Sequence, residues 1–536
     1  MNLSYSFYTL SIKYSSRSET DITTVFETVS PSSSLGGSTI NMKQSLGIPK
    51  QILEVVQKIE EGGFEAYLVG GCVRDLIREK TPKDWDITTN ANPNEIIDLF
   101  PKTFYENEYG TVGVVNEAIP EGDHPLASLR VVEVTPYRKE TTYSNFRHPD
   151  TIEFTANLHD DLLRRDFTMN ALAYNPTKNE FVDPYDGSAD IVQGIIRTVG
   201  KAEDRFHEDA LRVMRAVRFA AELGFVIEKE TLDAVIKFSL RLEKIAVERV
   251  RDEFEKIIMS ERPMEGIILL EKVGILKMII PELLEGIGCE QNGDHIYDVW
   301  EHNLRALQHS AERTWPLHVR LAALFHDVGK PYTRKWAEEK EDWTFYGHDV
   351  VGGKISKKIL EHLRFPKQIT HDVSTLVRFH LFFSDIEKIT LSAVRRIVAN
   401  VGPELVWDLM HVRACDRIGM GRPKETPYRL RKYHSMIEEA MRAPVSVGML
   451  KIDGIRIMEV TDTKPSREIG LILHALFDEV LDKPEKNNIA YLEERAKALI
   501  LLDSTELKKL GEQGKEKKEE KEEEEVGEIR KKYNVK

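Results

Sequence analysis

The sequence predicts an α+β chain, in which a small mixed sheet precedes a remainder that is helical almost throughout. Three observations predict it. Short apolar runs, broken by Gly, Pro and Asp, occupy the region between about residues 66 and 135. From about Asp190 onward, apolar residues recur at helical spacing. The 536 residues, 41% of them hydrophobic, supply several cores, enough for roughly three or four domains.

The elements follow in order. Ile52, Val55, Val56 and Ile59 recur every three or four residues, which predicts a helix over 52–61. Ala66–Val69 reads as a buried strand, broken by Gly70-Gly71, and Val73–Glu79 as a helix. Trp85–Thr88, Val112–Val115 and Leu129–Thr135 read as further strands, the last two joined by a loop with Pro, Gly and Asp over Glu117–Ala127. Helices are expected at Glu208–Glu222, Leu232–Leu240, Val250–Met259, Met264–Val273, Asp298–His309, His318–His326, Gly352–Leu363 and Lys367–Arg378.

Composition narrows the function classes. No apolar run reaches the length of about 18 residues that a membrane span needs, so no membrane is expected. Cys72, Cys289 and Cys415 are too few and too scattered for a disulfide framework or a thiolate zinc site, which suits a reducing cytoplasm. The net charge of −14 argues against non-specific nucleic-acid binding. Part of that charge sits in the Lys/Glu run Glu516–Glu528, expected to be disordered or a frayed helix, so a basic surface elsewhere is compatible with it.

The strongest local pattern is Gly70-Gly-Cys-Val-Arg-Asp75 followed by Lys83-Asp-Trp-Asp86. Residues two apart in a strand share a face, so Asp84 and Asp86 project together while Trp85 faces the core. Paired carboxylates suit Mg²⁺. Two such ions about 3.5–4 Å apart activate an attacking hydroxyl and stabilise a leaving pyrophosphate. The Gly-Gly turn lets backbone approach a triphosphate at a helix start, and Arg74 lies one turn into that helix. The bland alternative is an ordinary turn followed by a solvated strand end. Glu133, alternating with Val132 and Val134, is the candidate third carboxylate or else an exposed strand residue.

Asp209, Arg212, Arg215 and Arg218 recur every three residues, a slowly drifting stripe on one helix face. Such a stripe presents acceptor and donor groups to a base edge, or is simply a solvated row of ion pairs. His302, His326-Asp327, His348, His380 and Asp416 form a separate set whose imidazoles and carboxylates suit a transition metal such as Ni²⁺, Mn²⁺ or Fe²⁺. The alternative is scattered helix histidines.

At these residues the sequence resembles the class II tRNA nucleotidyltransferase and bacterial poly(A) polymerase family. Leu162-Leu-Arg-Arg-Asp-Phe-Thr-Met-Asn-Ala171, Asp183-Pro-Tyr-Asp-Gly187, Gly194-Ile-Ile-Arg-Thr-Val-Gly200, Glu208–Phe219 and Glu248–Glu253 extend the match, which covers about residues 48–500. The histidine set resembles the HD phosphohydrolase superfamily. Val447–Gly454 through Ile469–Leu473 resembles the family's tRNA-gripping tail, with a departure at Thr463-Lys-Pro-Ser-Arg467, where a glycine ordinarily follows the proline.

The resemblance implies a polymerase β-like nucleotidyltransferase head over 46–186, a nucleotide-selecting neck over 187–262, an HD-containing body over 263–440 and a tRNA-binding tail over 441–503. A polar extension over 1–45 and a charged, disordered C-terminus over 504–536 complete the expected plan. It further implies catalysis by Asp84, Asp86 and Glu133 with Mg²⁺. Triphosphate or ribose contacts fall to Gly70, Gly71, Arg74, Arg164 and Arg165, with Asp166 and Asn170 as alternative loop braces. Asp209 and Arg212 would read base edges, with Arg215 and Arg218 supporting them or contacting phosphates. Lys139–Asp150, with Tyr143, Arg147 and His148, would be the flexible loop that switches specificity from C to A.

The implied reaction is addition of CCA to tRNA from CTP and ATP, with no protein partner. The tRNA would be recognised by shape, with affinity that falls as salt rises. A poly(A) polymerase, and an HD phosphohydrolase whose head only binds RNA, are the rival readings. Since residues 1–45 are polar and Ser/Thr-rich while amphipathic sequence soon follows Met42, the native chain is expected to start at Met42. Mass spectrometry of the native N-terminus should find Met42 first, whereas peptides from residues 1–41 would contradict this.

Overall fold

Short, largely buried apolar runs build the sheet. In the computed structural model, which describes residues 47–105, 110–121, 124, 126–140, 152–293, 295–381, 389–442 and 447–535, residues 51–536 form one unit and residues 1–50 another. The polar extension over 1–45 and Met42 lie outside the described residues. Helix α1 (Lys50–Glu61) buries Ile52, Val56 and Ile59, as its spacing predicts. The strands are β1 (Ala66–Val69), β2 (Asp86–Thr89), β3 (Thr103–Tyr105), β4 (Val112–Val115), β5 (Val131–Pro136), β6 (Arg138–Glu140), β7 (Ile152–Phe154), β8 (Ala173–Asn175) and β9 (Glu180–Val182).

Seven of these pair in the order β3-β4-β5-β2-β1-β8-β9. Only β2 and β5 run parallel within that sheet, so it is mixed as expected but larger than the four strands legible in sequence. The three-residue strands β3, β8 and β9 are too short to show alternation. Along β5 the exposed and buried residues alternate, with Val132 and Val134 inside and Glu133 at the partly exposed face. Trp85, 2% exposed, anchors the start of β2 in the core.

The helices of the head are α2 (Gly71–Ile77), α3 (Pro93–Leu99) and α4 (Leu158–Leu163). After them come α5 (Gly187–Gln193), α6 (Ala202–Glu208), α7 (Leu211–Leu223), α8 (Lys229–Phe238), α9 (Val247–Met259) and α10 (Pro263–Lys272). Here α7 packs on both α9 and α10. The body follows with α11 (Leu276–Ile279), α12 (Val299–Glu312), α13 (Leu317–Phe325), α14 (Lys330–Thr333), α15 (His348–His362), α16 (Lys367–Phe379), α17 (Leu391–Val401), α18 (Leu405–Gly419) and α19 (Tyr428–Met441). Helix α12 packs on α13 and α18, and α13 on α16, so residues from all four elements converge.

The last helices are α20 (Gly454–Thr461), α21 (Arg467–Asp482), α22 (Ile489–Leu499) and α23 (Ser504–Lys532). They correct one expectation: the charged segment over 504–536 is not disordered but forms the 29-residue helix α23, packed along α21. Its charges have specific partners. Lys517 pairs with Asp478 and Asp482, each at 2.9 Å, and Glu525 with Arg442 at 2.8 Å. Leu507 is buried, and two glycines permit close approach. A Cβ on Gly511 would lie 2.7 Å from Leu471 Cδ2, and one on Gly514 only 2.1 Å from the His474 carbonyl oxygen. Sequence composition weighed the Lys/Glu run but not the small residues that seat it.

Gly514→Leu should therefore lift α23 from α21, at a cost of about 1–3 kcal/mol. Hydrogen exchange should report lost amide protection over residues 504–532. Unchanged protection there would contradict this packing.

Candidate functional sites

The head gathers its acidic residues by register. Asp86 opens β2 and is the direct partner of Glu133 on parallel β5, while Gly113 of β4 lies opposite Glu133 on the other side. Asp84 stands exposed in the bend two residues before Asp86, outside the strand in which the sequence reading put it. The Gly-Gly turn faces the same place. Gly70 has φ 75°, a left-handed conformation that glycine adopts freely. A Cβ there would lie 3.0 Å from Arg165 Nη1 and 3.9 Å from Asp86 Oδ2. Gly70, Arg165, Asp86 and Glu133 are thus brought together, with Gly71 opening α2 beside them.

Arg74 is buried. Its Nη1 donates to Asn170 Oδ1 at 2.9 Å, and its Nε to Asp75 at 2.9 Å. Arg164 and Arg165 both donate to the wholly buried Asp161, at 2.6 and 3.1 Å. Asp161 escaped sequence reasoning; a charged residue on the inward face of a short helix was the available signal. Burial alone would raise its carboxyl, but the two guanidinium groups hold it below the usual range.

A continuous polar chain ties this cluster to α7. Asn170 Nδ2 donates to Asp166 Oδ1 at 3.2 Å, and Arg215 Nε of α7 donates to Asp166 Oδ2 at 2.7 Å. Asp166 and Asn170 thus link Arg74 to Arg215, contacts that suit a brace. Burial raises the Asp166 carboxyl, but Arg215 and Arg212 outweigh it and bring it down to about 2. Arg218 lies against the Phe219 ring and is held by Glu253 of α9 at 2.6 Å and by Glu222 at 2.7 Å. Half-buried Arg215 and buried Arg218 are thus each paired with a buried carboxylate.

The predicted stripe is broken at its first member. Asp209 lies between α6 and α7, at φ −136°, and not in the helix that carries Arg212. Its Oδ1 accepts from the Leu211 N–H at 2.9 Å, and its Oδ2 from Arg249 at 2.9 Å. Asp is a favoured residue just before a helix, so the break had a signal. Arg212 donates through Nη1 to Glu208 at 2.6 Å and through Nη2 to the Arg164 carbonyl at 3.0 Å. The loop residues Tyr143, Arg147 and His148 lie outside the described residues.

The body brings all six members of the histidine set together. His302 comes from α12, His326 and Asp327 follow α13, His348 opens α15, His380 ends α16 and Asp416 lies on α18. All six are nearly or wholly buried. His302 Nε2 lies 2.8 Å from His326 Nε2, 3.2 Å from Asp327 Oδ2 and 3.4 Å from Asp416 Oδ1. His348 and His380 approach Asp327 Oδ1 at 3.2 and 3.6 Å. His326, His348 and His380 each place Nδ1 at 2.6–2.8 Å from a backbone carbonyl oxygen, which directs Nε2 inward.

Burial would raise Asp327 and Asp416. Lys330 and the histidines around Asp327, and Arg413 and the histidines around Asp416, hold them well below the usual carboxylate range instead. A donor set of buried imidazole nitrogens and ionised carboxylates fits a divalent cation. Sequence reasoning missed His295, which completes a further group with His302 and Asp416. A cavity of about 470 Å³ opens onto Asp327, His348, His380 and Asp416, with Lys330, Arg413, Trp343 and Tyr346 at its walls. Among the described residues no helix is long and apolar enough to cross a membrane.

A mixed sheet that gathers carboxylates beside a Gly-Gly turn, joined to a helical body with a buried His/Asp pocket, defines a two-centre α+β protein. Residues 66–197 match the poly(A) polymerase head domain, 224–286 the probable RNA and SrmB-binding site of polymerase A, and 294–417 the HD domain. The CCA-adding enzyme of Lactiplantibacillus plantarum is 48% identical over 214 residues, 40% of this chain and 50% of that protein. That of Pediococcus pentosaceus is 45% identical over 284 residues, 53% and 66% of the two chains. The chain thus spans about half the length of most curated relatives it matches. The solved structure of the Bacillus stearothermophilus CCA-adding enzyme in complex with CTP aligns at 26% identity and a TM-score of 0.54, covering 84% of this chain and 99% of that one. The chain belongs to the tRNA nucleotidyltransferase and bacterial poly(A) polymerase family and carries an HD domain.

The Asp166 carboxyl, depressed to about 2, lies below its unfolded value of about 3.9. Its contribution to stability is full above the unfolded value and is lost as pH falls through the folded one. Between pH 4 and pH 2 the wild type should lose about 2 kcal/mol that the Asp166→Asn variant does not. Urea unfolding across that range measures it, and parallel curves for the two proteins would contradict the pairing with Arg215.

Proposed function

We propose that the chain adds C, C and A in turn to the 3′ end of tRNA, using CTP and ATP. The observation that carries this reading is the register of Asp86 with Glu133 beside Gly70. The relatives from Lactiplantibacillus plantarum and Pediococcus pentosaceus, both CCA-adding enzymes, support it. Asp84, Asp86 and Glu133 would hold Mg²⁺, which when bound favours the ionised 3′ hydroxyl and neutralises the leaving pyrophosphate. The 3′ oxygen attacks the α-phosphorus, the bond from that phosphorus to the bridging oxygen breaks, pyrophosphate departs, and the hydroxyl proton passes to solvent.

Gly70, Gly71 and Arg165 would meet the triphosphate. Arg74 and Arg164 act beside them through Asn170 and Asp161. A guanidinium has five N–H groups; Glu208 and the carbonyls of Arg205 and Arg164 take three of those of Arg212. The remainder, with Asp209, would choose the base. The domain reading keeps the head at 46–186, the neck at 187–262, the body at 263–440 and the tail at 441–503, with α23 now a folded extension of that tail.

The body's pocket supports a second activity, hydrolysis of a phosphomonoester or a 2′,3′-cyclic phosphate with Ni²⁺, Mn²⁺ or Fe²⁺, because Lys330 and Arg413 stand at a cavity beside the His/Asp set. There a water oxygen bonds to phosphorus, the ester P–O bond breaks, and the released alkoxide takes up a proton.

The test uses tRNA lacking its 3′ CCA, Mg²⁺, and CTP and ATP singly and together. Ordered addition of C, C and A is expected. Asp84→Ala and Asp86→Ala should each lose several kcal/mol of transition-state stabilisation, on the order of 10³-fold in rate. Long A tracts with ATP alone would replace this reading with a poly(A) polymerase. No incorporation, with the cyclic phosphate still cleaved, would replace it with a phosphohydrolase whose head only binds RNA.

A further inference from the structure

We infer that helix α23 is a rigid strap that holds the tail at a fixed distance from the body, and so positions RNA long enough to reach both. The tail has a core of its own. Leu450, Ile457, Ile472, Phe477 and Leu492 share one apolar cluster, and α21 packs on both α20 and α22. Helix α23 enters that core through Leu507 and packs along α21, while it also packs on α19 of the body. One face of the helix makes both contacts. Leu507, Gly511, Gly514, Glu522, Glu525 and Ile529 recur at helical spacing, and all are buried or half-buried. Halfway along, this stripe changes from small and apolar to charged. The 29 residues contain no proline, and at about 1.5 Å each they span about 43 Å.

The two halves are anchored by different chemistry. At the tail the fit is steric: Gly511 and Gly514 let the helix lie directly against Leu471 and the His474 carbonyl. At the body it is ionic. Arg442, at the end of α19, meets Glu525 at 2.8 Å and Glu522 at 3.3 Å, while Glu439 and Glu438 of α19 meet Arg530 at 3.5 Å and Lys532 at 2.7 Å. After the last turn, Arg431 Nε donates to the Tyr533 carbonyl at 3.1 Å, and the Tyr533 ring stands edge-on to His434. Such partly exposed ion pairs are individually weak, so the body anchor can be undone by substitution while the tail core stays intact. Two contact regions on a rigid spacer hold a rigid ligand together only when their spacing matches it, because the second contact is then intramolecular and already ordered. A folded tRNA is long enough to use both regions; a hairpin of the acceptor stem alone is not. The strap therefore favours tRNA over short RNA ends.

The inference rests on the tail being a tRNA-binding segment, as proposed above, and not on nucleotide transfer. Two substitutions in the full chain free opposite ends of the strap: Gly514→Leu against α21, and Arg442→Gln against Glu522 and Glu525. Hydrogen exchange should report lost amide protection over residues 504–532 in the first and over 518–535 in the second. Affinity is then measured without nucleotide for tRNA lacking its 3′ CCA and for a hairpin of its acceptor stem. The wild type should bind the tRNA more tightly than the hairpin. Each variant should bind the tRNA about tenfold more weakly and the hairpin as the wild type does. Unchanged tRNA affinity in the two variants, or an equal loss for both RNAs, would overturn the positioning role. Amide protection unchanged in both variants would overturn the strap itself. A wild type that binds the two RNAs alike would overturn the tail reading as well. CCA addition by the wild type is scored separately, so its failure is distinguishable from each of these results.

Discussion

The ion pair between Asp166 and Arg215 is the constraint on which the head and neck depend. It joins a loop of the sheet domain to α7 at 2.6–2.7 Å, and Asn170 extends it back to Arg74 in α2. Asp166 is buried and Arg215 half-buried, so removing Arg215 strands a buried carboxylate acceptor at a cost of about 1–3 kcal/mol. The carboxylates at the head of β2 and the residues around the start of α7 are therefore fixed relative to one another. Arg218 with Glu253, and Asp209 with Arg249, tie α7 to α9 in the same manner. A base chosen by side chains needs this rigidity, since a hydrogen-bonding edge discriminates only when its donors and acceptors are held in place.

The body solves a different problem. Six titratable side chains share a volume from which water is largely excluded, and only partners of opposite charge or a cation make that affordable. Lys330 and Arg413 partner Asp327 and Asp416, and they also line the cavity that opens onto the set. The same two side chains thus neutralise the carboxylates and present positive charge to the cavity.

Periodicity made much of the fold legible, and local chemistry made part of the sites so. The apolar spacing of Ile52, Val56 and Ile59, the alternation around Glu133, and the Gly70-Gly71 break all carried through because each is a local rule. What was not legible depends on distant partners. Asp209 lies outside the helix, where its carboxylate accepts from the Leu211 N–H and meets Arg249, forty residues on. For Arg215 and Arg218 a solvated row, support of Asp209 and Arg212, and phosphate contact were all open in sequence, because their counter-charges Asp166 and Glu253 lie 49 and 35 residues away. The Lys/Glu helix α23 was misread because its stability comes from Gly511, Gly514 and the acids of α21, and composition cannot weigh those contacts. The six histidine-set residues were found by type and spacing, but the division of their donors between the two oxygens of Asp327 exists only in three dimensions.

Base choice by protein side chains, as proposed, depends on their being held to the head by the Asp166–Arg215 pair. The most direct measurement is the single-turnover preference for CTP over UTP on tRNA lacking CCA, compared between the wild type and Arg215→Ala. Discrimination is expected to fall by at least about tenfold, or about 1.4 kcal/mol, while Mg²⁺-dependent transfer to the primer persists. Discrimination unchanged from the wild type, with transfer equally intact, would contradict it.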